Sequence, residues 1–197
     1  MTNYSLPNFR IKERGKISEC FIELRLYDFH TVLKFVGELP YGRNSNRTAY
    51  ELVISEKKGT CSTKHALLSA LCKEQGIQEI KLITGIYEMN ENNTPGVGSV
   101  LEKYVLSPVP EAHCYLKYKN NRFDFTRLDV IGEPIEEFLI EEEIQPEQIG
   151  TFKTEFHRSY IPIWLSNNKL NQRFDLESLW KVREECIGEL SAFQANS

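Results

Sequence analysis

A thiol, an imidazole and a carboxylate follow one another along this chain as Cys61, His113 and Asp124. An acyl-transferring thiol enzyme needs those three parts: a thiolate to attack a carbonyl, an imidazole to carry the proton, and a carboxylate to fix the imidazole's tautomer. Cys61 stands near the start of TCSTKHALLSALCKEQG, just after Lys57-Lys58-Gly59. Thr60 is a good N-cap, Ala66, Leu67, Ala70 and Leu71 make an apolar stripe at helical spacing, and Gly76 ends the run. A cysteine in the first turn of that helix meets backbone N–H groups and the positive end of the macrodipole, which favour the thiolate. The same groups can face a developing oxyanion.

His113 and Asp124 fall in Ala112 to Phe125 (AHCYLKYKNNRFDF), which reads as a β-hairpin. Alternation puts His113, Tyr115 and Lys117 on one face and Cys114, Leu116 and Tyr118 on the other. A tip at Lys119-Asn120 sets Asp124 across from Tyr115, one diagonal step from His113; a tip at Asn120-Asn121 sets it opposite Lys117, farther away. The sequence leaves both registers open. Asp129, the nearby competitor, falls on the opposite face in either if the strand continues that far.

Upstream, Asn44, Asn46 and Tyr50 are candidates for a second oxyanion donor, and Arg43 and Arg47 for holding an anionic substrate. The loop that carries most of them, YGRNSNR, serves equally as a turn-rich connector. His65, one helical turn after Cys61, is either a rival proton acceptor or a satisfied core histidine. Cys61, His65 and His113 with Cys114 or Cys72 lack the paired C-x2-C spacing of zinc sites, so no metal is expected. No glycine-rich phosphate loop or dinucleotide fingerprint occurs, and no cofactor is expected either.

Gly-x-Cys opening a helix (GTCSTKHALLSAL), a strand beginning with His (AHCYLKYK) and a hairpin return ending Asp-x-Thr (RFDFT) resemble the transglutaminase-like superfamily of papain-type thiol enzymes, over about residues 59–126. The resemblance implies a helix-borne Cys61 packed against a sheet presenting His113 and Asp124, and attack on the carbonyl of an amide, ester or thioester. The expected substrate is a peptide, a protein or a small acyl compound. Ser62 stands where many members have tryptophan, and the return from His113 to Asp124 is short. These departures sustain an alternative, a catalytically inactive binding or interaction protein on the same fold.

The elements that must position these residues read as an α+β arrangement: a central, mainly antiparallel sheet packed against the cysteine-bearing helix, of transglutaminase-like or cysteine-proteinase-like type, with additional C-terminal helices. Residues 1–16 read as a loosely tied N-terminal arm, and 17–197 as one domain with one core. Asp28 precedes an amphipathic helix, FHTVLKFVGEL, ended by Pro40 and Gly42. Tyr50 to Ser55 (YELVIS) suits a short buried strand, and Glu79 to Met89 another. Glu133 to Glu147 is acidic with interleaved apolar residues, a solvated strand or helix face. Two helices follow at about 148–165 and 175–193, the first kinked or ended by Pro162.

With 41% hydrophobic and 26% charged residues and a net charge of -4 over 197 residues, the composition is globular and lacks the basic footprint of a nucleic-acid-binding domain. Nucleic acid and membrane are therefore not expected partners: no stretch approaches the roughly 20 apolar residues of a membrane helix. The segment MTNYSLPNFRIKERGK has no apolar signal core. Five scattered cysteines, an odd number, read as reduced thiols, and the expected location is cytoplasmic.

Overall fold

The computed structural model describes residues 5–128 and 134–195, with side chains described as far as Leu190; Asp129 and Glu133 lie outside that range. Among the described residues the chain forms α1 (Lys16–Glu23), α2 (Phe29–Glu38), α3 (Leu52–Glu56), α4 (Cys61–Gln75), β1 (Ile80–Met89), α5 (Gly98–Lys103), β2 (Val109–Tyr118), β3 (Asn121–Phe123), β4 (Ile140–Ile144), a 3-10 turn (Pro146–Ile149), α6 (Thr151–Asn167) and α7 (Leu176–Ala195). The four strands make one antiparallel sheet in the order β3-β2-β1-β4, so the architecture is α+β. Two compact units divide the chain, residues 1–83, 114–128 and 143–150 in the first and the remainder in the second. Each has its own apolar cluster, where the chain's length had suggested one core.

In the first unit α4 is the axis, with α1, α2, α3 and the 3-10 turn packed on it. All of its fifteen residues except Lys73 and Glu74 are buried. A helix buried on every side must find partners for its polar side chains as well as its apolar stripe. Leu67, Leu68 and Leu71 join Phe21, Phe29, Leu33 and Leu116 in the core, while Gln75 exchanges hydrogen bonds with the Lys12 main chain in both directions, at 2.9 and 2.7 Å. Gly76 ends the helix at φ +76°, in the left-handed region glycine occupies without cost.

Two expectations are corrected and a third is narrowed. The N-terminal arm is tied down from Leu6 onward: Leu6 and Ile11 are buried, Phe9 stacks on Phe29 at 4.6 Å, and the Ile11 N–H donates to the Tyr27 carbonyl. Its basic residues mask an apolar series at 6, 9 and 11 that a tail would have no reason to carry. YELVIS is helical at α3 rather than extended, held by hydrogen bonds from Leu52, Val53 and Ile54 back to Ala49, Tyr50 and Glu51. Within α3 Val53 alone is buried, which one turn against α4 achieves, and that packing overrides β propensity. Of the two outcomes expected at Pro162, an end is excluded, since α6 runs on to Asn167. Pro162 lies on the exposed side of that helix, where water can serve the carbonyl its missing N–H would have bonded.

In the second unit α5 and α6 pack on α7, burying Leu101, Ile161, Trp164, Leu179 and Val182 with Tyr87 and Met89 of β1. The Trp164 indole donates to Glu88 at 2.8 Å. Arg183 of α7 and Glu111 of β2 form a buried bidentate pair, both contacts at 2.5 Å. The His157 ring nitrogen Nε2 is 2.8 Å from the Pro110 carbonyl, and the ring packs edge-on to Trp180.

Candidate functional site

Cys61 is the first residue of α4, and the cap behind it is reciprocal. The Thr63 N–H donates to Thr60 Oγ1, and the Thr60 N–H donates to Thr63 Oγ1 at 2.9 Å. Gly59 lets the chain reach this cap: a Cβ there would stand 2.9 Å from Lys64 Cγ and from Val53 Cγ2, inside contact distance. The thiol is nearly buried, 9% exposed, with Sγ 3.8 Å from Ser62 Oγ.

The hairpin pairs Leu116 with Phe123, Lys117 with Arg122 and Tyr118 with Asn121, so its tip is Lys119-Asn120. Lys119 takes the left-handed conformation at φ 53° that so tight a return requires. Of the two registers open in the sequence, this is the one whose next step sets Asp124 opposite Tyr115. Cys114 and Leu116 enter the first unit's core, as alternation requires. Pairing stops at Phe123. Asp124 Oδ1 then accepts the Thr126 N–H at 2.8 Å, and the carboxylate is about half exposed.

The imidazole that the first unit brings to Asp124 is His65, with Nε2 3.5 Å from Asp124 Oδ1. Nε2 also accepts the Phe125 N–H at 2.8 Å, so Nδ1 carries the proton and donates to the Cys61 carbonyl, also at 2.8 Å. Both nitrogens thus serve the main chain in the neutral ring. His65, 0% exposed, is a satisfied core histidine. His113, in the second unit, is half-buried on β2 and packs edge-to-face on Tyr87 at 6.1 Å.

No family model, curated protein or solved structure matches this chain. Its chemistry is therefore read from its own residues.

Asn44 is buried, and both of its amide hydrogens are spent, on Glu56 and on the Lys58 carbonyl, each at 3.0 Å; its oxygen accepts from Thr63 Oγ1 at 2.9 Å. It braces the loop against α3 and α4 instead of offering a donor to substrate. Hydrogen bonds from Ser45 and then Asn44 hold the Glu56 carboxyl below its usual range. Asn46 closes a local turn by accepting from Thr48. Tyr50 is half-buried against the core, and burial raises its hydroxyl pKa. Arg43 is half-buried and Arg47 exposed, on the same loop.

Cys72 and Cys186 are unsuited to nucleophilic work because burial pushes both thiols up, Cys186 to about 11. No group of three His, Cys, Asp or Glu side chains among the described residues is arranged to hold a metal. Sequence reasoning passed over Lys64, whose side chain is completely buried and whose Nζ donates to the Leu39 and Thr126 carbonyls. The available signal was a lysine one position before His65, within a helix whose apolar stripe starts at Ala66.

Proposed function

We propose that this chain is a thiol-dependent enzyme that hydrolyses or transfers the acyl group of an amide, ester or thioester, on a fold of transglutaminase-like kind. Cys61 is the nucleophile, His113 the general base and acid, and Asp124 the group that orients His113. The observation that carries the reading is the placement of Cys61 as the first residue of a capped helix that is buried at all but two of its positions. There the helix dipole favours a thiolate and rigid packing holds it in place.

In the proposed reaction Cys61 Sγ bonds to the substrate carbonyl carbon as its proton passes to His113. The amine, alcohol or thiol leaves with that proton, giving a thioester. Water or an acceptor amine then attacks the thioester, returning Cys61 and releasing the acid or the new amide. The substrate is a peptide, a protein or a small acyl compound. A cytoplasmic setting suits a chemistry that needs reduced cysteine, and all five cysteines are thiols. No helix among the described residues is long and apolar enough to cross a membrane.

The near-burial of Cys61, together with Ser62 in place of a tryptophan, favours the second reading, a binding protein that keeps the fold without the chemistry. A panel of amide, ester and thioester substrates, assayed with wild type, Cys61→Ala and His113→Ala, separates the two. The enzyme reading expects turnover abolished by Cys61→Ala and reduced at least about 100-fold by His113→Ala. Turnover that survives Cys61→Ala contradicts it.

A further inference from the structure

Two adjacent residues of α4 grip the segment that carries Asp124, by opposite hydrogen-bonding polarity. His65 Nε2 accepts the Phe125 N–H at 2.8 Å, and Lys64 Nζ donates to the Thr126 carbonyl at 2.7 Å. Thr126 in turn donates its own N–H to Asp124 Oδ1 at 2.8 Å. The Thr126 hydroxyl oxygen is buried with no partner among the described residues, so among these contacts the anchorage of Thr126 runs through its main chain. Both gripping side chains are fully buried. Burying a lysine ammonium is costly, and an apolar side chain of similar length fills such a site with less desolvation. An amine there has its use in direction: Nζ spans from the Leu39 carbonyl to that of Thr126.

Resting on the thiol-enzyme reading, we infer that Lys64 and His65 are positioning residues, which fix the Asp124 carboxylate just past the end of β3 by clamping the Phe125-Thr126 main chain to the helix that bears Cys61. They touch no reacting atom. Their effect on chemistry passes through Asp124.

The test compares the pH profile of Cys61 alkylation by iodoacetamide in wild type, Asp124→Asn, Lys64→Met, Lys64→Arg and His65→Gln, with circular dichroism to verify folding. In wild type, neutral-pH alkylation should depend on Asp124, falling about tenfold in Asp124→Asn, which is one pKa unit of thiolate. Lys64→Met should reproduce the Asp124→Asn profile, and Lys64→Arg should recover most of the wild-type profile. Should Lys64→Met not fold, His65→Gln carries the comparison: it keeps an acceptor for Phe125 with altered reach, and a profile displaced toward that of Asp124→Asn is expected. A folded Lys64→Met, or in its place His65→Gln, with a wild-type profile overturns the inference while Asp124→Asn still shows its effect. An Asp124→Asn profile identical to wild type removes the thiol-enzyme reading itself, and the inference with it.

Discussion

His65 Nε2 accepts the Phe125 amide hydrogen at 2.8 Å, so an imidazole one turn beyond Cys61 is committed to holding the segment that leaves the hairpin. Replacing it with leucine leaves the Phe125 N–H unpaired, at a cost of about 1–3 kcal/mol. The Cys61 carbonyl loses a donor as well. Urea titrations followed by far-UV circular dichroism should show His65→Leu destabilised by at least that amount. His65→Gln, which keeps an acceptor, should lose less. Equal stability of the leucine variant and wild type would mean the hydrogen bond is not formed.

Ile11 is 4% exposed and belongs to the first unit's core. Ile11→Ala should therefore cost roughly 2–4 kcal/mol, while the same change at exposed Lys12 should fall within about 0.5 kcal/mol of neutral. The same titrations distinguish a docked segment from a solvated tail, in which both changes are silent.

Acid should weaken the second unit through two buried groups whose pKa values are both depressed. Burial pushes His157 down to about 4 against its usual 6.5, outweighing the charge of Glu111. Burial opposes ionisation of Glu111, and the charge and hydrogen bonds of Arg183 overcome it, holding the carboxyl down to about 2. In each case the unfolded chain takes up the proton first. Stability is full above pH 6.5, falls as His157 of the unfolded chain protonates between 6.5 and 4, and falls again as Glu111 does so between 4.5 and 2. The His157 share is roughly 2–4 kcal/mol. Both tryptophans, Trp164 and Trp180, lie in this unit, so denaturant titrations read by tryptophan fluorescence at pH 7, 5 and 3 should show a progressive loss. A flat profile would contradict the burial of this cluster.

What the sequence made legible was local. Asp28 caps α2 by accepting the Thr31 N–H at 3.0 Å, and Thr60 and Gly76 bound α4, because caps are decided by a few adjacent residues. The alternation that sends Cys114 and Leu116 into the core was also readable, being a property of one strand. The elements misread or left open depend on partners distant in sequence. The arm is held by Phe29, Tyr27 and Gln75; α3 is helical against α4; and Pro162 is tolerated because of the side of α6 on which it falls. The work of His65 and Lys64 was hidden for the same reason, since their partners at 125 and 126 are about 60 positions away. Asn44 shows the converse. Its residue type suits an oxyanion donor, and three hydrogen bonds employ it as a brace.

The central claim, an activated Cys61 that depends on His113, is tested most directly by the pH dependence of iodoacetamide alkylation at Cys61, resolved by mass spectrometry, in wild type and in His113→Ala. The account predicts a thiol pKa at least one unit below the ordinary value near 8.5 in wild type, shifted upward by loss of the imidazole. An ordinary pKa unchanged in His113→Ala would contradict it and leave the chain a binding protein.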